Sequence, residues 1–380
     1  MLFSNSVFAQ QIPKSVFAPA INIYPGFIIP NYENVAKSNL AVIGSLHLAW
    51  QTKGKDAWHK FYNYPKIGLE CTYANFGNKN ELGFGLGVIP VLQLKSRSEK
   101  RFRILKFGMG FTYLNKPFDA VANPNNLYFG GHFANMSIAN ITWGKLSSDK
   151  KVSLFYGVST IHCSNGHNAL PNAGANMVML NVGMKWNTKS VRYFQKTDSL
   201  YIRNKFNLSF KFGIGTHEFG ETTKATGGPL YPSYHTSIYA GKQFRNVHVV
   251  QAGITYSYYT SFYDYIVTQE VYPNHQKLKA STLVLFLGHE FVMGKVSFSA
   301  QGGLYVYNPF FIEQKKIDGS WSSVGQKLEA INTNRLGLIY YPFKKANTLN
   351  NVKNQLSLGI FIKANLGQAD LFEYTVGYTF

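Results

Sequence analysis

The chain has 380 residues, 45% of them hydrophobic and 16% aromatic, with Gly frequent and only two Cys. No uninterrupted apolar run approaches the length of a membrane-crossing helix, which excludes a helical membrane protein, and the profile is that of a large β-structure with aromatic girdles. Net charge is +20 at pH 7, a field that favours polyanions; the basic residues are scattered between predicted strands rather than gathered on one helix or stripe, which argues against nucleic acid.

In chain order, Met1 to Gln10 comes first and reads as the remnant of a secretory signal: a short apolar stretch ending in Val7-Phe8-Ala9, without the basic leading region. Residues 11–380 carry no Pro/Gly/Ser-rich linker or shift in composition and read as one domain. Within it, segment after segment alternates apolar and polar residues over roughly ten positions, the length with which a tilted strand crosses a bilayer. Strands are expected at 18–29, 39–52, 65–76, 80–96, 100–114, 130–147, 151–165 and 174–188, then at 204–217, 232–245, 246–260, 279–293, 294–307, 331–344, 353–366 and 368–380. The fold expected is therefore all-β: an antiparallel up-and-down transmembrane barrel of about sixteen strands, with fourteen as the nearest even number.

The seventh predicted strand carries the chemistry. Val152, Leu154, Tyr156 and Val158 share their parity with His162 and Ser164, so a base and a hydroxyl end an apolar stripe on one side of the strand. If 165–174 closes an antiparallel hairpin, residues whose numbers sum to about 338 face one another, which sets Asn176 opposite His162. Asn176 shares its own parity with Val178, Leu180 and Val182. The expectation is that His162, Ser164 and Asn176 meet on one lipid-facing patch, with Asn176 orienting the imidazole that activates Ser164. Asn165 and Gly166 begin the turn, where amide groups can receive an oxyanion or simply cap the turn. His167, Asn168, Pro171, Asn172 and Gly174 read as loop structure.

Other polar features do less. His217-Glu218 and His289-Glu290 stand at strand ends, where adjacent residues face opposite sides, and no HExxH or paired-Cys spacing occurs. Cys71 and Cys163 lie on separate strands, far from one another in sequence. Tight links are expected near 97–99, 148–150, 245–246 and 294–295, and long ones near 115–129, 165–174, 218–231, 261–278 and 308–330, all on the opposite side. Segments 53–64 and 189–203 are long on the tight side. The last strand alternates Phe372, Tyr374, Val376, Tyr378 and Phe380, an aromatic ladder that barrel closure would pair.

The run His162-Cys163-Ser164-Asn165-Gly166, followed by Pro171-Asn172-Ala173-Gly174-Ala175-Asn176, resembles the active-site signature of PagL-type lipid A 3-O-deacylases, also described as acyloxyacyl hydrolases. Further stretches, among them Tyr24-Pro25-Gly26-Phe27, Gly288-His289-Glu290 and Ala369-Asp370-Leu371-Phe372, resemble the longer Bacteroidota branch of that family. The resemblance implies an outer-membrane serine esterase that removes an ester-linked acyl chain from lipid A of lipopolysaccharide at the outer leaflet, without a cofactor; the residue spacings point to no metal site. It makes His162 the base, Ser164 the nucleophile and Asn165 with Gly166 the oxyanion element. The acidic member of the family's triad would fall at Asn176, and no Asp or Glu lies between Asp149 and Asp198 to replace it. Two other functions fit a barrel of this kind: a pore or uptake protein, since sixteen strands can enclose a channel, and a scaffold whose outer loops bind partners.

Overall fold

The computed structural model describes residues 16–54, 56–96, 101–145, 151–186, 205–244, 247–317, 324–344, 352–366 and 368–380. The N-terminal signal-like segment, the 189–203 connection and the tight links expected at 97–99, 148–150 and 245–246 lie outside them.

Sixteen strands are present among the described residues, all in antiparallel ladders. The first eight are β1 (Ala20–Ile29), β2 (Ala41–Gln51), β3 (Lys66–Asn75), β4 (Phe84–Lys95), β5 (Arg101–Leu114), β6 (Phe133–Lys145), β7 (Val152–Ser164) and β8 (Ala175–Trp186). The rest are β9 (Lys205–Glu218), β10 (Leu230–Phe244), β11 (His248–Tyr259), β12 (Ser281–Met293), β13 (Val296–Tyr307), β14 (Asn332–Tyr340), β15 (Gln355–Asn365) and β16 (Gln368–Thr379).

Their closure differs from the expectation of one ring. β8 returns to pair with β1, Ile29 opposite Asn176, and β16 returns to β9, Tyr374 opposite Ile214. Two closed barrels of eight strands result. Alternation specifies each strand and its faces, but the strand that closes the ring is chosen by long-range pairing, which a period of two does not encode.

Ring size decides what the interiors can hold. Eight strands leave room for side chains to fill the lumen, whereas sixteen in one ring leave a channel. In the first ring Glu70 is fully buried and takes hydrogen bonds from Tyr24 at 2.5 Å, Ser45 at 2.7 Å and the Lys106 ammonium at 2.5 Å. In the second, Arg335 pairs with Glu373 at 2.5 Å, while Glu290 accepts from Tyr341 at 2.7 Å and Gln251 at 2.8 Å. Such charges are tolerated away from water because each has a partner. Among the described residues the strands form no single wide ring, on which the pore reading rested.

The outer faces are apolar. Along β7, Leu154, Tyr156 and Val158 are exposed while Ser153, Phe155 and Ser159 are buried inward, and β9 repeats the pattern with Phe206, Leu208, Phe210, Phe212 and Ile214 outward. Apolar residues outward and polar ones inward is the arrangement of a barrel solvated by lipid.

Long connections cluster at one end of both rings, and several are structured. Helices α2 (Thr260–Thr268) and α3 (Gln276–Lys279) join β11 to β12, and α4 (Pro309–Ile317) and α5 (Val324–Ile331) join β13 to β14. On the opposite side, the connection between β2 and β3 holds a short helix, α1 (Ala57–Phe61), and reaches the second ring. Trp58 lies against the Gly294 turn, and the rings of Phe61 and His248 are 5.4 Å apart. Its length serves contact between the rings.

Candidate active site

β7 and β8 pair in the register expected, with His162 opposite Asn176. Both side chains take the outward parity and are half-buried. The imidazole Nδ1 lies 2.7 Å from the Asn176 Oδ1; with a carbonyl oxygen as acceptor, Nδ1 carries the proton and Nε2 keeps its lone pair. This is the tautomer a general base requires.

Ser164 shares that parity but is only 5% exposed. The expectation of a hydroxyl facing open hydrocarbon is corrected here: the 165–174 loop folds over it, and almost every loop residue is buried. The Oγ accepts a hydrogen bond from the Asn172 Nδ2 at 2.9 Å and from the Gly166 N–H at 3.2 Å, and lies 3.2 Å from the Asn172 Oδ1. It makes no hydrogen bond to His162. The two side chains instead flank Gly174, where a Cβ would sit 3.3 Å from both the His162 Cε1 and the Ser164 Cβ. Catalytic hydrogen bonds often form only once substrate is bound.

The loop itself explains its glycines. Gly166 and Gly174 both have φ of +65°, the left-handed conformation that a Cβ disfavours. Gly174 also keeps open the gap between base and hydroxyl. The 115–132 connection braces the same segment, Ala173 N–H donating to the Leu127 carbonyl at 2.9 Å and Gly174 N–H to that of Tyr128 at 3.2 Å.

Of the residues expected at the site, His162, Asn176, Ser164 and Gly166 come together. Asn165 is adjacent but otherwise engaged, its side-chain amide donating to the Ala169 carbonyl at 2.6 Å and its backbone N–H to the Asn172 Oδ1 at 3.1 Å. Asn172, read from sequence as loop structure, is the side chain that grips Ser164. Its spacing of eight residues from Ser164 carries no periodic signal; only the folded loop brings it back. Glu218, set aside as half of a His-Glu pair, is a second such residue. Its carboxylate accepts the Leu170 N–H at 2.6 Å. His167 inserts beside His217, ring centroids 6.4 Å apart, and burial holds its imidazole below the ordinary value against the pull of Asp370 and Glu218. Cys71 and Cys163 are both free, and no group of metal-ligating side chains occurs among the described residues.

A serine hydroxyl among amide donors, next to an oriented imidazole on the wall of a lipid-facing barrel, has the composition of an ester hydrolase site. Residues 44–185 match the family model described as lipid A 3-O-deacylase (PagL), and residues 204–350 match that of the acyloxyacyl hydrolase C-terminal domain. The first match lies within one ring and the second begins at β9 of the other. The chain belongs to this family: it is an outer-membrane enzyme that deacylates lipid A.

No curated protein matches the chain. Among solved structures it is similar to Pseudomonas aeruginosa OccD3 (OpdP), at 10% identity over 97% of this chain and 92% of that one, TM-score 0.24. It is also similar to Acinetobacter baumannii OccAB3, at 10% identity over 96% and 99%, TM-score 0.22. Neither likeness informs the fold or the activity.

Proposed function

We propose that Ser164 is the nucleophile of this deacylase, that His162 is its general base, and that the reaction takes place at the outer leaflet. The Ser164 Oγ attacks the carbonyl carbon of an acyl ester of lipid A while the His162 Nε2 takes its proton. The tetrahedral intermediate collapses as the lipid A oxygen leaves with that proton, and the acyl chain remains on Ser164. Water, deprotonated in turn by His162, then releases the fatty acid and restores the hydroxyl. Negative charge on the carbonyl oxygen is met by the Gly166 N–H and the Asn172 amide, while the Asn165 N–H holds the Asn172 Oδ1. Asn176 holds the ring in the productive tautomer but carries no charge to offset imidazolium, which makes for a slower enzyme than one with a carboxylate there.

The single observation that carries this reading is the hydrogen bond from the His162 Nδ1 to Asn176, formed across the ladder on the outward face that Ser164 shares. Placement at the outer leaflet is supported by the long connections that gather at the same end as the 165–174 loop. Lys37, Lys79 and Lys116 are exposed there on three connections of the first ring. These connections are knitted together by Asn78 donating to the Lys37 carbonyl and Lys116 to that of Asn80. Ammonium groups so placed suit the phosphates of lipid A. The test is Ser164→Ala: mass spectrometry of lipid A from cells carrying this variant is expected to show full acylation while the barrels still assemble, and undiminished acyl loss refutes the assignment.

A further inference from the structure

The loop that covers Ser164 is held by the second ring as well as the first. Asn172 donates its backbone N–H to the Thr222 carbonyl at 2.6 Å, and Thr222 lies in the 219–229 connection that follows β9. At the end of β9 stands Glu218, 5% exposed. One carboxylate oxygen accepts the Leu170 N–H at 2.6 Å. The other accepts the Gly228 N–H at 2.9 Å and the Thr226 hydroxyl. The Glu218 backbone N–H donates to the His167 carbonyl at 2.8 Å, and the neighbouring Thr216 hydroxyl donates to Asn168 at 3.1 Å. A single buried carboxylate thus ties the catalytic loop to the connection that carries Thr222.

We propose that the second ring is a working part of the active site and that Glu218 is a positioning residue, setting the Asn172 amide against the Ser164 Oγ. The proposal rests on Ser164 being the nucleophile. Hydrogen bonds from backbone N–H groups to an ionised carboxylate are shorter and stronger than neutral ones, and here they fix both segments that determine where Asn172 lies. The Asn172 side chain has little freedom to compensate, since its Nδ2 serves Ser164 and its Oδ1 the Asn165 N–H. A displacement of about 1 Å at such a donor costs on the order of 10²-fold in rate. The alternative, a glutamate that merely secures packing between rings, predicts losses unrelated to Asn172.

The test uses the full chain in outer-membrane vesicles with lipopolysaccharide as substrate, comparing Glu218→Ala, Glu218→Gln, Asn172→Ala, the pairwise combinations and Ser164→Ala. Glu218→Ala is expected to lower kcat by about 10²-fold while KM moves by less than about 2-fold. Glu218→Gln, which keeps one carbonyl acceptor, recovers part of the loss. Glu218→Ala combined with Asn172→Ala should be no slower than Asn172→Ala alone, because both remove one interaction. Unchanged kcat in Glu218→Ala, or losses that multiply in the double variant, overturn the proposal. If Glu218→Ala fails to assemble, the Glu218→Gln and Asn172→Ala cycle decides on the same criterion. An active Ser164→Ala overturns the nucleophile assignment and this inference with it; an inactive Ser164→Ala beside a fully active Glu218→Ala overturns the inference alone.

Discussion

The two rings share one strand architecture and differ in how their last hairpins treat polar residues. In the first, the seventh and eighth strands are joined by the 165–174 loop, and the polar residues at its base, His162, Ser164 and Asn176, take the outward parity. In the second, β15 ends at Asn365 and β16 begins at Gln368, and polar residues near these ends turn inward, Lys363 pairing with Asp370 and donating to Tyr259 at 2.9 Å and Tyr305 at 2.7 Å. A ring of eight strands is therefore the common frame, and chemistry depends on which face the polar side chains take and on a loop long enough to cover them. The second ring contributes its rim instead.

The comparison can be broken most directly at Ser164. Replacing it by Ala should reduce acyl release by on the order of 10⁴-fold or more, with heat-modifiable gel mobility unchanged. Replacing Lys363 by Met at the corresponding corner of the second ring should leave kcat close to the parent value in the protein that assembles. A large kcat loss there would show that the second hairpin also does chemistry.

Asn176 sharpens the contrast further. Asn176→Ala removes the acceptor for the His162 Nδ1 proton and is expected to lower kcat by about 10²-fold. Asn176→Asp keeps the shape, adds the charge that offsets imidazolium, and should raise kcat above the parent. Steady-state kinetics on the two variants checks both directions, and a slower Asn176→Asp would show that the neutral partner is required.

The interiors should behave alike where the faces do not. Arg335→Ala strands the Glu373 carboxylate in the second lumen, and Lys106→Ala strands Glu70 in the first; each is expected to cost about 3–5 kcal/mol, read as an earlier unfolding midpoint in denaturant titrations. If only one ring responds, the two do not unfold as equivalent frames.

Gly174→Ala should have the smallest effect on stability, about 1–2 kcal/mol for the left-handed backbone. Its Cβ would occupy the space between the His162 Cε1 and the Ser164 Cβ, so the larger consequence falls on kcat. A purely thermal effect with normal turnover would mean that the gap is not used.

Much of this was legible in the residues themselves. Alternation along 206–214 and 356–363 marks strands whichever ring they join, because side chains of a strand reach opposite faces in turn. The same parity placed His162 with Ser164, and hairpin arithmetic placed Asn176 across from His162, since antiparallel register is local. Asn172 and Glu218 were given no role at the site for the opposite reason: one lies in a loop without a period, the other in a different ring.

What the sequence indicated by itself was a count of about sixteen strands, the apolar side of the clearly alternating ones and the His162–Asn176 pairing, all consequences of a two-residue period and nearest-neighbour register. Tertiary structure alone decided that β8 returns to β1, that the lumens are filled, and that the loop over Ser164 is gripped from the second ring. Closure pairs Ile29 with Asn176, and covering joins Asn172 to Thr222, contacts between separate elements that no local pattern specifies.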